Sequence, residues 1–258
     1  MEIKYIFDNA KDLENKEVIL NGWIRNHRPQ KEFGFIDFSD GTCFKHLQIV
    51  YDNTLINFLD VSKLLVGSSI SVEGTLVKSS GNQEYEVKAK NIAILDSCPS
   101  DFPIQAKRHT KEFLRENAYL RARTNMFQAV FRVRSLAAQG IHKYFGDNGY
   151  IYFNAPHVHW GDCEGAGEMF EVTTLDLDKI AKSGKVDYDK DFFGKLTGLT
   201  VSGQLEAETY ALAFSKVYTF GPTFRAENSN TSRHASEFWM IEPEIALADL
   251  QDVMLLAQ

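Results

Sequence analysis

GPTFRAENSNTSRHASEFWMIEPE, residues 221–244, separates into three parts. Phe224-Arg225-Ala226-Glu227 closes one extended segment, residues 228–232 form a polar loop, and Arg233-His234 leads into a second extended segment at Glu237-Phe238. Strand, loop and returning strand predict an antiparallel pair, with two arginines and an aromatic ring around one pocket. A guanidinium makes planar, bidentate hydrogen bonds to phosphate oxygens, and an aromatic beside it can stack a purine. Phe-Arg-x-Glu taken alone is a short signal and fits a solvated surface hairpin about equally well.

Around this stretch, residues 150–153, 170–174, 199–201, 216–223 and 238–245 have strand character. Residues 124–145 place Phe127, Val130, Phe131, Leu136, Ala137, Ile141 and Phe145 near the helical period, with Arg132, Arg134 and Lys143 on the wet side. Gly146 and Gly149 are expected to stop that helix. This part of the chain therefore predicts a mostly antiparallel sheet with few helices. Residues 247–258 look helical without a stop signal, as if the chain were cut there.

Further upstream, Pro99 and Pro103 with Ser97, Ser100 and Asp101 mark a linker. Before it, short strands are expected at 17–25, 33–38, 47–51, 69–77 and 84–95, with helical spacing at 57–65 and a turn at Asp40-Gly41. Three strands, a helix and two strands is the order of a five-stranded OB barrel. The fold class is thus α+β, with a barrel over 1–97, a linker over 98–123 and a second domain over 124–258.

The 258 residues are 44% hydrophobic and 24% charged, the composition of a folded chain with room for two domains. The net charge is −7, unevenly spread. Residues 1–97 carry 11 Lys+Arg against 14 Asp+Glu, residues 98–150 carry 9 against 4, and residues 151–258 carry 8 against 17. Bulk attraction to nucleic acid is excluded, and any such contact must be local. Cys43, Cys98 and Cys163 fit neither a disulfide framework nor a zinc pattern. No apolar run approaches the ~18 residues of a membrane span, and Met1-Glu2-Ile3-Lys4 does not begin a secretory signal, so a cytoplasmic location is expected.

The full string at 221–244 resembles motif 2 of the class II aminoacyl-tRNA synthetases, in the asparaginyl branch of the aspartyl/asparaginyl/lysyl subgroup. CEGAGEMFEVTTLDL (163–177) with LTVSGQLEAETYA (199–211) is similar to that branch's amino-acid site. GWIRNHR (22–28), GFIDFSDG (34–41) and LQIVY (47–51) resemble its anticodon-binding barrel, so the resemblance spans essentially the whole chain.

The resemblance implies an ATP-dependent ligase that joins asparagine to tRNA-Asn, with ATP and Mg2+ required and a homodimer as the complete enzyme. Arg225 and Glu227 would act at the reacting centre, Arg225 on the α-phosphate and Glu227 on the adenine or ribose. Arg233 and His234 would meet the outer phosphates, and Phe238 would stack the adenine. Glu164, Gln204 and Glu208 would bind the amino acid. Aspartate-specific relatives place a lysine where this chain has Ala207, which removes the reason to prefer a carboxylate and leaves Glu208 as an acceptor for a carboxamide. In the barrel, Phe35 would stack an anticodon base while Arg28 and Gln48 read phosphate or base edges.

Two departures from the family pattern stand out. The first motif reads Ala155-Pro156-His157-Val158-His159-Trp160-Gly161 instead of the usual Thr-Pro form. A metal on His157 and His159 with Asp162 or Cys163 is conceivable but lacks a fixed fourth ligand, and no protein-bound metal site is expected. The family's third motif, with its arginine for the γ-phosphate and its Mg2+ carboxylates, does not occur, and no arginine follows Arg233. The chain is therefore expected to be an N-terminal fragment, inactive alone in adenylation. The alternatives are an aspartate-tRNA ligase of relaxed specificity and a non-catalytic tRNA-binding fragment.

Overall fold

The computed structural model describes residues 1–105, 107–163, 168–229, 231 and 233–258. The chain divides into two units, Met1–Ser135 and Leu136–Gln258. In the first, helices α1 (Ile3–Asp8) and α2 (Ala10–Leu13) precede strands β1 (Glu17–Pro29), β2 (Phe33–Ser39) and β3 (Leu47–Asp52). Helix α3 (Phe58–Val61) then leads to β4 (Ser69–Lys78) and β5 (Tyr85–Asp96). These strands close a barrel in the order β1-β2-β3-β5-β4, as the sequence predicts.

The barrel follows from period-two burial. Val18 and Leu20 of β1 and Ile70, Val72 and Leu76 of β4 point into the core, while Ile19 points out. Ile3 and Ile6 of α1 are fully buried and belong to the same core. Neither α1 nor α2 is announced by the sequence, because each is too short to show a helical period. The start of α1 is held from outside: the Asp40 carboxylate accepts the Ile3 amide at 2.7 Å and the Thr42 amide at 2.9 Å. The Asp40-Gly41 turn therefore belongs to a longer loop, residues 40–46, instead of a tight hairpin. Strand β1 also runs four residues past the expected end, through a bulge between Ile24 and Asn26 that restores its alternation against β2.

After the barrel come α4 (Lys111–Glu116), capped by the Thr110 hydroxyl, a 3-10 turn at Arg121–Arg123, and the long α5 (Asn125–Asp147). Helix α5 passes through Gly146, and the chain turns at Gly149, whose φ is +77°. A small core of Ile104, Leu114 and Leu120 organises the segment around α4.

The second unit contains β6 (Ile151–Tyr152), β7 (Val158–His159), α6 (Leu177–Ser183), β8 (Gly198–Leu199), α7 (Gln204–Phe214), β9 (Lys216–Phe224), β10 (Glu237–Ile245) and α8 (Leu250–Leu256). Its main sheet has the order β10-β9-β6, with β9 and β10 antiparallel and β6 parallel to β9; β7 and β8 form a separate pair. On one side of this sheet, Phe145 stacks on Tyr218 with ring centroids 4.5 Å apart.

Two expectations change here. The strand at 170–174 reduces to one bridge, Glu171 to Gly198. Residues 204–214, read without a helix, form α7. Its apolar residues Leu205, Ala207, Tyr210, Leu212 and Phe214 lie all round the helix, so no single stripe marks it.

Candidate active site and nucleic-acid interface

Strands β9 and β10 pair in register from Phe224 opposite Glu237 to Lys216 opposite Ile245. This places Arg225 and Phe238 at the open end of the pair, with the guanidinium carbon 5.5 Å from the ring centroid. Backbone bonds fix the approach: Arg225 N–H donates to the Ser236 carbonyl at 3.0 Å and Ala226 N–H to the Glu168 carbonyl at 2.7 Å. Arg225 Nε, Glu227 Oε2 and His234 Nε2 are buried and have no partner among the described residues. Three buried polar atoms left open on one strand–loop–strand form a site that a polar ligand would complete. Arg233 is exposed on the same loop.

Two of the residues expected to meet the amino acid, Gln204 and Glu208, lie on α7. Gln204 Nε2 donates to Glu208 Oε1 at 2.8 Å, so the two share one face of α7. Glu164 lies outside the described residues. Ala207, where aspartate-specific relatives are expected to carry a lysine, lies on the same helix. It is fully buried and packs with Ala211, Val217 and Phe153 beneath the helix, so the position is one of packing between α7 and β9.

A residue that sequence reasoning missed is Glu242 on β10. Its carboxylate accepts from Gly203 N–H at 3.1 Å, Thr219 Oγ1 at 3.0 Å and Ser202 Oγ, so it clamps the turn that starts α7. Burial first, then the charges of Glu208 and Glu242, push the Glu244 carboxyl above its ordinary range. The patterned carboxylates of IEPE were the available signal, but nothing local connects them to residues 202–219. The small pocket lined by Asn154, His157, Gly203, Gly221 and Glu242 is about 20 Å³, room for about one water, so a nucleotide would have to use the side at Arg225 and Phe238.

His159 is buried, and its Nδ1 accepts the Gly161 amide at 3.0 Å. Among the described residues no three His, Cys, Asp or Glu side chains gather as a metal site.

The barrel residues do converge. Phe33, Phe35 and Asp37 face outward from β2 while Ile36 and Phe38 are fully buried, so Phe35 is off the core. The Arg28 guanidinium sits 5.3 Å from the Phe35 ring centroid, 4.0 Å from Asp37, and donates to Gln48 Oε1 at 3.2 Å. Gln48 Nε2 donates in turn to Glu86, which also accepts from Ser79 at 2.7 Å. Arg28, Phe35 and Gln48 thus form one surface of ring, cation and amide.

The family model for tRNA synthetases class II (D, K and N) matches residues 110–258, and the model for an OB-fold nucleic acid binding domain matches residues 18–95. The chain is 56% identical over 259 residues to the asparagine–tRNA ligase of Desulfitobacterium hafniense (strain Y51), covering 99% of this chain and 56% of that protein. Identity to the asparagine–tRNA ligase of Alkaliphilus metalliredigens (strain QYMF) is 56% over 261 residues, again with 56% of that protein covered. The chain thus spans little more than half the length of these curated relatives. The asparaginyl-tRNA synthetase of Pyrococcus horikoshii, solved with asparaginyl-adenylate, superposes with a TM-score of 0.81 at 26% identity, over 95% of this chain and 53% of that one.

Proposed function

Because the chain belongs to the class II tRNA synthetases of the D, K and N group, we propose that it serves an asparagine–tRNA ligase. In this reading the asparagine carboxylate attacks the α-phosphorus of ATP and pyrophosphate leaves, and a terminal ribose hydroxyl of tRNA-Asn then takes the asparaginyl group from the adenylate as AMP leaves. Charge gathers on the α-phosphate oxygens as the new P–O bond forms, and a fixed cation there stabilises that state more than the ground state. Arg225 is that cation. Its backbone amide is anchored at Ser236, its ring neighbour Phe238 would stack the adenine, and its Nε has a bond still to make. Glu227 serves the adenine or ribose, His234 and Arg233 the outer phosphates, and Glu164, Gln204 and Glu208 the amino acid. Arg28, Phe35 and Gln48 take the anticodon. Mg2+, when bound, would neutralise phosphate charge. A homodimer and a cytoplasmic setting go with this reading.

The observation that carries the proposal is the Arg225–Phe238 pair with its open buried donor, at the end of a strand pair matched by the family model. The test is asparagine-dependent ATP–pyrophosphate exchange by the protein that carries this chain. Arg225→Ala is expected to lower exchange by ~10²–10³ or more, the usual cost of one preorganised charge contact, while tRNA binding is retained. Lost tRNA affinity with intact exchange would move Arg225 away from the phosphorus. Exchange supported by aspartate as well as by asparagine would favour the relaxed aspartate ligase.

A further inference from the structure

Within Met1–Ser135 a cleft of about 810 Å³ opens beside the barrel, well within the ~300–1,000 Å³ of small-molecule sites. Phe102, Ile104 and Leu114 give it an apolar wall, and Trp23 lies on the barrel side. Four cations, Arg25, Lys107, Arg108 and Arg123, line it together with His46 and His109. The one carboxylate in the lining, Asp37, already stands 4.0 Å from Arg28. Among the described residues none of the four cations is in an ion pair.

The charges are placed against aromatic rings and against each other. Arg25 lies 6.0 Å from the Trp23 ring centroid and Arg123 lies 5.4 Å from that of Phe102. Arg25 Nη1 donates to the Arg123 carbonyl at 3.4 Å, while Arg25 Nε and His46 Nε2 are buried with no partner among the described residues. Burial and then the Arg123 charge hold Arg25 below the ordinary guanidinium value, and burial and then Arg25 hold His46 down. Arg25 under the charge of Arg123 in a partly dry cleft, with its Nε left open, costs stability that a bound anion would offset.

We infer that this cleft binds a phosphate-bearing ligand of nucleotide size, its phosphate on Arg25 and Arg123 and its ring against the wall of Phe102 and Ile104. The site shares no residue with the Arg225 pocket, since every residue in it belongs to Met1–Ser135. A walled cleft with apolar residues on one side suits a ring and a terminal phosphate, whereas a polynucleotide backbone needs an open basic track.

Isothermal titration of the full 258-residue chain carrying Arg225→Ala, with inorganic phosphate, AMP and a single-stranded RNA oligomer as separate probes, tests the inference. AMP is expected to bind more tightly than phosphate, and Arg25→Gln or Arg123→Gln to weaken AMP about tenfold or more, as the loss of a charge-assisted hydrogen bond does. Arg123 is exposed, so Arg123→Gln is expected to fold, and its ligand-free melting temperature should equal or exceed that of the parent because the repulsion with Arg25 is relieved. AMP affinity unchanged in both variants, or no AMP binding at millimolar concentration, would overturn the site. Binding of the RNA alone, lost in the same variants, would assign the cations to a polynucleotide and overturn the small-ligand reading.

Discussion

His27 is tied at both ring nitrogens, with Nδ1 2.8 Å from the Leu64 carbonyl and Nε2 2.7 Å from the Tyr51 hydroxyl. A carbonyl can only accept, so Nδ1 carries the proton and Nε2 accepts from Tyr51. Burial pushes the Tyr51 hydroxyl up to about 12, which keeps it a donor. Burial also holds the imidazole below its ordinary 6.5. Between that lowered value and 6.5 the unfolded chain binds more protons than the folded one, so stability is complete above 6.5 and declines as pH falls through this window. The melting temperature is therefore expected to drop on acidification below 6.5, and to drop less in His27→Gln; parallel slopes for the two proteins would clear His27 of the effect. Phe35 makes the second prediction at this scale. Its ring stands outside the core beside Arg28, so Phe35→Ala should leave the fold intact and weaken an anticodon stem-loop by ~1–3 kcal/mol through lost stacking. A variant with full RNA affinity would reduce Phe35 to a spacer on the barrel wall.

Among the elements, the pairing of β4 with β5 depends on one residue without a side chain. The register shifts between Glu73 and Gly74, and a Cβ at Gly74 would stand 2.3 Å from the Lys88 carbonyl oxygen and 2.9 Å from Ala89 Cα. Both are backbone atoms of the partner strand and can yield only if the strands separate. Gly74→Ala is expected to cost ~1–3 kcal/mol, the usual range for overpacking, visible as a lower urea midpoint with an unchanged slope. An unshifted midpoint would show that the bulge absorbs the methyl group. Helix α7 behaves differently: it is held by small residues, Ala207 and Ala211, against Val217, and by Glu242 gripping the turn before it. Its position relative to β9 and β10 thus rests on a carboxylate more than thirty residues further along the chain.

For the molecule as a whole, the barrel contains its own core. The closed order β1-β2-β3-β5-β4 leaves no strand edge open, and Ile3, Ile6 and Ala10 join the core from before β1. Residues 1–97 are accordingly expected to fold alone, with a cooperative thermal transition and dispersed amide resonances; a spectrum of an unfolded chain would mean that the segment around α4 is needed. Residues 1–97 carry 11 positive and 14 negative residues. Its binding to an anticodon stem-loop should therefore depend on anticodon sequence and fall only modestly with salt, because few phosphate contacts release few counterions. Equal affinity for a scrambled anticodon would contradict this.

The strands of the barrel, the β9–β10 pair and helix α5 were legible from the chain itself, because period-two and 3.6-residue burial patterns are local and survive without knowledge of neighbours. The cations and aromatic of residues 224–238 were legible for the same reason: a strand, a loop and a returning strand have only one simple way to pair. What lay outside this reach was set by partners distant in sequence. Ala207 is buried because α7 lies on Val217, and Glu242 clamps the turn before α7 only because β10 brings it under Ser202 and Gly203. The cleft at Arg25 and Arg123 joins residues ninety-eight apart, and no local pattern encodes that meeting. Periodicity tells a side chain whether to face in or out; which group it meets there is decided by chain closure, where one contact is chosen with all the others.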